Sequence, residues 1–270
     1  MTTTTVPAQL IGRDAPVLPL VRAELLKLRR RRGLVLLVGA LTILPMLIGF
    51  TVTSILHATN AAAHPTAGGI DNYAGSLDLL GVLAAVAAIL VGVTAGAGDL
   101  GSGVFRTLVV TGRSRLALFG ARIPGGLALL LPFVAGGFAL STAASIALAG
   151  SAPAPDLGLI VRSGAWIGLQ ATIAFALGMG VASVLGSRGM SIGLLLGWLL
   201  AVEPILLAID VLGSLRIGLL AAAGQRLEPA ALTDGGPSVP MSVGAALLVV
   251  AAWTVIPLLV GAWRTQTRDA

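Results

Sequence analysis

Leu77-Asp-Leu-Leu-Gly-Val-Leu-Ala-Ala-Val-Ala-Ala-Ile-Leu-Val-Gly-Val-Thr-Ala-Gly-Ala97 is the stretch on which the fold turns. Apart from Asp78 it carries no charge, and it holds no proline. A helix rises about 1.5 Å per residue, so about 20 apolar residues cross the roughly 30 Å hydrocarbon core of a bilayer. Five further segments are comparably long and apolar: 34–56, a third starting at 116 or 123 and ending at 148, 159–185, 190–209 and 241–263. The expectation is an all-α, polytopic membrane protein with six transmembrane helices.

Composition agrees. Of the 270 residues 56% are hydrophobic and only 10% charged, where a soluble domain carries about 25% charge. Mean hydropathy is +0.99. So few solvated groups cannot cover a folded surface of this size, which argues against a soluble enzyme. There is no cysteine, which excludes disulfides, thiolate metal sites and thiol nucleophiles.

The loops are sided. Of the 17 Lys and Arg, 14 fall before the first segment, after the second, between the fourth and fifth, or in the tail, and 3 fall in the alternate loops. Basic residues collect on the cytoplasmic side, so both termini are expected there, in the cell membrane, and an even number of spans follows. The net charge of +6 serves this topology, and no basic cluster is interleaved with the aromatic residues that stack on nucleic acid; no nucleic-acid partner is expected. Arg29 to Arg32 followed by an apolar run imitates a secretory signal, but the run is too long for one and begins late.

Residues 1–16 read as a disordered tail. In 17–33, Val21, Leu25 and Leu28 recur at helical spacing beside Arg22, Glu24, Lys27 and Arg29, which predicts an amphipathic helix on the cytoplasmic leaflet. The transmembrane domain spans 34–263 and a cytoplasmic tail 264–270. The stretch 190–227 is too long for one crossing, a second full crossing would put the sixth span on the wrong side, and Pro204, Gly213 and Gly218 interrupt it. The fifth span followed by short re-entrant half-helices, with an outer re-entrant region at 210–240, fits the topology. Gly92 and Gly96, and again Gly189, Gly193 and Gly197, form small-xxx-small ridges that mark helix contacts within or between subunits.

Chemistry-bearing motifs are few. The single lysine, Lys27, is followed by Leu28. A P-loop needs Gly-Lys-Ser/Thr to grip phosphates and magnesium, so any ATP-driven work requires a second polypeptide, and the chain is not expected to be an enzyme. Gly96-Ala-Gly98-Asp-Leu-Gly101 matches G-x-G-x-x-G, but it follows a membrane span where no βαβ unit can form. His57 and His64 lie in the first loop near Asp71 with no metal-ligand spacing, and no metal or resident cofactor is expected. No histidine lies within a span, which excludes a histidine-activated intramembrane serine protease.

Glu203 stands out inside the fifth span next to Pro204. A carboxylate at the bilayer centre costs about 2.5–3.5 kcal/mol even on insertion scales. Two readings stand: a polar point on a substrate or proton path, or a group at the outer water interface. Asp78 and Asp210, at span ends, read as interfacial. The second cytoplasmic segment, 98–122, contains Asp99, Gly103, Arg106, Ser114, Arg115 and Arg122. It offers a short helix at about 102–110, a turn, and a basic re-entry into the membrane.

That segment, together with Glu24 and Lys27 ahead of the first span, resembles the membrane permease subunit of type-two ABC exporters. In that family an amphipathic helix with an acid and basic residues precedes six spans, and an acid, a glycine, a short helix and Ser-Arg follow the second. The chain departs with Asp99 where Glu is commoner, Arg122 where Lys is commoner, and Thr111-Gly112 where a proline often lies. The resemblance implies that Glu24, Lys27, Asp99, Gly103, Arg106, Ser114, Arg115 and Arg122 couple to a separate ABC ATP-binding subunit. That partner would hold ATP and Mg, and a second permease chain, identical or related, would complete the transporter. A hydrophobic or amphipathic cargo (drug, lipid or peptide) suits the wall composition. The alternatives are an ion-coupled secondary transporter working through Glu203 and a non-transporting membrane anchor or scaffold.

Overall fold

The computed structural model describes residues 17–98, 114–232 and 238–267. All regular elements among the described residues are helical, with no strand among them. Six helical stretches are long and apolar enough to cross a membrane: Arg32–Thr59, Ile70–Ala97, Arg115–Ala147, Leu157–Leu185, Arg188–Ala208 and Val243–Thr267. We refer to them as the first to sixth spans.

Helix α1 (Val17–Arg29) precedes them. The first span divides into α2 (Arg32–Thr42) and α3 (Leu44–Thr59), stepping at Ile43 ahead of Pro45. The second, third and fourth are the single helices α4 (Ile70–Ala97), α5 (Arg115–Ala147) and α6 (Leu157–Leu185). The fifth is composite. Helix α7 (Arg188–Gly197) runs through a π-turn at Trp198–Val202 into α8 (Glu203–Ala208). A 3₁₀ segment at Asp210–Gly218, broken at Gly213 (φ 51°), leads to the short α9 (Leu220–Leu227). The sixth span is α10 (Val243–Thr267). The spans lie within about four residues of their sequence expectations, except that the second begins seven residues earlier than expected, at Ile70. The third starts at the earlier of its two alternatives, because Ser114 caps it: its hydroxyl accepts the Ala117 N–H at 3.1 Å.

The second and fourth spans form the inner pair, with 61% and 67% of their most apolar windows buried. Lipid supplies no hydrophobic drive between helices, so close approach must come from small residues. A Cβ at Gly92 would collide with the Phe175 carbonyl oxygen, and one at Gly96 would lie 2.5 Å from the Met179 oxygen. Gly178 answers from the fourth span, 2.8 Å from the Ile89 oxygen. Gly180 takes the sixth span against Pro257, and Gly137 sets the third span on the Thr42 carbonyl of the first. The Gly92/Gly96 ridge is thus an internal contact. Gly189, Gly193 and Gly197 face open space, so that ridge makes no contact within the described chain.

Contacts sort the ends. Gly98, after the second span, sits beside the Arg31 and Arg188 side chains, which precede the first and fifth spans. Arg115, opening the third, donates to the Gln266 carbonyl at the end of the sixth at 3.0 Å. These ends share one face, which we term the basic face. At the opposite face the first loop packs on the third: Gly68 N–H donates to Leu148 O at 3.0 Å and Gly69 N–H to Ser145 O at 2.8 Å. The fifth span begins and the sixth ends at the basic face, so the described residues 210–232 lie toward the opposite one.

Helix α1 packs beside the third span. Leu28 is fully buried, and Val21 and Leu25 are half-buried as the pattern requires. Glu24 does not keep to the polar side expected of it. Its side chain lies against Gly125, because residues 21, 24, 25 and 28 share one helical face.

Candidate functional site

A cavity of about 590 Å³ lies among the second, fourth, fifth and sixth spans, bounded by α9. That volume falls in the roughly 300–1,000 Å³ range of small-molecule sites. Its body is apolar: Ile89 and Val181 from the inner pair, Leu194 and Leu195 from the fifth span, Pro257 from the sixth. These residues lie toward the basic face of their helices. Toward the opposite face the lining changes character. Asp78, Glu203 and Glu228 enter there, with Gln170 and Gln225 and the indoles of Trp166, Trp198 and Trp253. Among the described residues the lining holds three carboxyl groups and no Lys, Arg or His.

Local structure explains each placement. The π-turn widens the fifth span by one residue and re-aims the side chains after it, a device common at functional sites. Glu203 follows it directly. It is only 2% exposed, and its Oε1 accepts the Ala221 N–H at 2.7 Å. Helix α9 has Leu219 at its N-cap, which offers no side-chain acceptor; Glu203 supplies the missing cap from another helix. A carboxylate at a helix N-terminus is also favoured by the helix dipole. Glu203 therefore ties the fifth span to α9 while lining the cavity.

Glu228 ends α9. Burial, and then the charge of nearby Asp78, push its carboxyl up from 4.5 to about 7, while Trp166 pulls it the other way. Trp166 Nε1 lies buried without a hydrogen bond of ordinary geometry, as does Trp198 Nε1. Trp253 is anchored: its Nε1 donates to Gly218 O at 2.9 Å, and its ring stands 5.7 Å from that of Trp198. Three of the chain's 4 tryptophans thus meet in one cavity.

The residues expected to couple to an ATPase behave differently from one another. Glu24 and Lys27 form an ion pair at 2.6 Å, and the other oxygen of Glu24 is buried without a hydrogen bond. Arg122 is buried, 2% exposed, and donates to Gly96 O at 3.3 Å. It locks the third span to the carbonyl end of the second, where a cation complements the helix dipole. Ser114 caps the third span and Arg115 braces the sixth. Asp99, Gly103 and Arg106 lie outside the described residues, as does the expected helix at 102–110. All of the described members stand near the basic face, remote from the cavity's acidic end.

Sequence reasoning found Glu203 and passed over Asp78, Glu228 and the tryptophans. Asp78, placed at a span end from sequence, lies eight residues inside the second span because that helix begins at Ile70, and it opens onto the cavity. Asp210 fits its simple reading: it is exposed and pairs with Arg216 at 2.8 Å. The overlooked signal was the placement of tryptophan in the fourth, fifth and sixth spans, Trp166, Trp198 and Trp253, beside Trp263 near the chain's end. His57 uses Nδ1 on the His64 carbonyl at 2.9 Å, and no metal-ligating cluster exists among the described residues. No protein-family model matches the chain, and no curated protein matches it in sequence.

Proposed function

We propose that the chain is the membrane-spanning subunit of an ATP-driven exporter of the type-two ABC class, with the cavity as part of its translocation path and the basic face toward the cytoplasm. The observation that carries this reading is the cavity: a small-molecule-sized space between membrane-capable helices, flanked by a segmented fifth span whose pieces can shift against one another. The chain has no P-loop, so power must arrive through a contact with another subunit. The basic face offers such a contact, because α1, the end of the second span at Gly98 and the starts of the third and fifth spans converge there. In this reading Glu24, Lys27, Ser114, Arg115 and Arg122 position that surface, and Asp99, Gly103 and Arg106 lie in the segment that meets the ATPase. The outer short helices act as re-entrant elements that open and close the path.

A second reading draws on a specific observation. Three carboxyl groups in one membrane cavity suit proton or cation coupling, and ionisable groups at membrane depth mark such relays. A secondary transporter would use them without ATP. Reconstitution separates the two. The exporter reading expects cargo movement in vesicles only when a co-purified P-loop ATPase and ATP are supplied, and loss of that movement in Asp99→Ala and Arg106→Ala. Movement by the chain alone under a proton gradient would replace it with the second reading.

A further inference from the structure

Helix α1 turns one face to the third span and leaves the other uncovered. Val21, Glu24, Leu25 and Leu28 take the packed face. Arg22, Leu26, Arg29 and Arg30 recur at helical spacing on the other, and all four are exposed. The Arg30 N–H donates to the Leu26 carbonyl at 3.0 Å, so helical geometry reaches that residue. Two residues on, Arg32 opens α2 and is exposed as well. Leu36 stands one turn below it on the same face, 73% exposed. Leu44, Leu47 and Ile48 are exposed further along the first span.

The guanidinium groups of Arg22, Arg29, Arg30 and Arg32 make no hydrogen bond or ion pair among the described residues, unlike Arg115 and Arg122 of the same face. The chain supplies them no acid either. Glu24, the one acid of α1, is on the packed side in its ion pair with Lys27. The other described carboxylates lie toward the opposite face. Membrane topology asks only for positive charge beside the bilayer. It does not account for an exposed leucine set among the arginines, or for arginines placed at the head of a bare hydrocarbon stripe. A molecule with an anion at one end and hydrocarbon at the other answers both features. Guanidinium forks match phosphate oxygens two at a time, and basic segments next to a span attract anionic lipid.

We propose that the corner of α1 and α2 binds an anionic phospholipid, its phosphate among Arg22, Arg29, Arg30 and Arg32 and its acyl chains along Leu26 and Leu36. The inference does not rest on the transport reading, because a lipid here serves an exporter, a carrier or an anchor alike. A soluble acidic protein or a free phosphate would engage the arginines but gain nothing from Leu36, which lies on the membrane side of them. The bound lipid supplies the counter-charge that the chain lacks on this ridge and fixes α1 against the leaflet.

The test offers the delipidated full-length protein an equimolar mixture of phosphatidylglycerol and phosphatidylcholine with identical chains and counts retained lipids by native mass spectrometry. The parent is expected to keep phosphatidylglycerol over phosphatidylcholine by about tenfold or more. Arg22→Gln/Arg29→Gln/Arg30→Gln keeps Lys27, Arg31 and Arg32 for insertion and is expected to bring the ratio near parity. Arg264→Gln removes an exposed charge from the same face at the end of the sixth span, and is expected to leave the ratio unchanged. Equal retention of both lipids by the parent would leave the ridge to a soluble acidic partner and overturn the proposal. An unchanged ratio in the folded triple variant would overturn it too, as would an equal loss in Arg264→Gln, which would assign the preference to overall charge. If the triple variant is not recovered, the parent decides through its lipid ratio and through competition with millimolar glycerol 1-phosphate. That headgroup without chains is expected not to displace the lipid, and displacement would assign the arginines to soluble anions.

Discussion

At the scale of single residues, the two buried charges of opposite sign solve similar problems in different ways. Arg122 gives a guanidinium to the carbonyl end of the second span, and Glu203 gives a carboxylate to the amide end of α9. Arg122 thus adds a cation at a carbonyl end, and Glu203 caps an N-terminus that has no side-chain cap of its own. Removing such a cap costs about 0.5–2 kcal/mol. Glu203→Ala should therefore lower the thermal midpoint of the purified protein, while Glu203→Gln, which keeps an oxygen acceptor, should lower it less. Equal losses in scanning fluorimetry would show that the hydrogen bond to Ala221 is not what Glu203 contributes. Glu228 carries a pH dependence. Its carboxyl moves from 4.5 to about 7 on folding, chiefly through burial and then through Asp78. Between those values the folded protein holds a proton that the unfolded chain has released. Stability should thus fall as pH rises from about 4.5 to 7, then level off. The other titratable groups lining the cavity are Asp78 and Glu203. Melting curves across that range should flatten in Glu228→Gln; an unchanged slope would assign the dependence elsewhere.

At the scale of elements, length and hydropathy made the spans legible, because crossing a bilayer dictates both. Helical spacing likewise made Gly92 and Gly96 legible as a contact ridge. It could not say which ridge meets a partner within the chain, since spacing describes one helix and contact requires two. Gly193 has the same pattern as Gly92 and faces open space. The difference is testable. A Cβ at Gly92 overlaps the Phe175 backbone, and overpacking of this kind costs about 1–3 kcal/mol. Gly92→Ala should destabilise the protein in detergent measurably, and Gly193→Ala should leave the melting midpoint within a degree or so of the parent. The reverse order would contradict the pairing of the second and fourth spans. The π-turn was beyond sequence reasoning for a related reason. Pro204 announces a disturbance of the fifth span, but its form depends on what the freed side chains then meet. The same holds for the site. Glu203 was conspicuous as an acid in an apolar run, whereas Asp78 stands at the edge of its apolar run and Glu228 just after a short helix, places where charges are ordinary in a sequence. Only packing of four elements makes them neighbours.

At the scale of the whole molecule, the arrangement is polarised. Basic side chains gather where the first, third and fifth spans begin, and carboxyl groups gather in the cavity toward the other face. A chain inserted by the positive-inside rule keeps its basic face in the cytoplasm, which would open the acidic end of the cavity toward the exterior. The absence of cysteine makes this orientation directly measurable, since a single introduced thiol has no background. Ala62, in the exposed first loop, and Ser238, between α9 and the sixth span, lie toward the acidic end; Leu18 and Thr267 lie toward the basic one, and all four are exposed. In intact cells a membrane-impermeant maleimide should label Ala62→Cys and Ser238→Cys, and it should reach Leu18→Cys and Thr267→Cys only after permeabilisation. Labelling of Thr267→Cys from outside would invert the molecule. The surface proposed to meet an ATPase would then face away from ATP, and the chain could not be powered through it. The cavity and its carboxyl groups would survive that result, because they follow from packing and not from orientation. A gradient-driven carrier would then be the reading consistent with both.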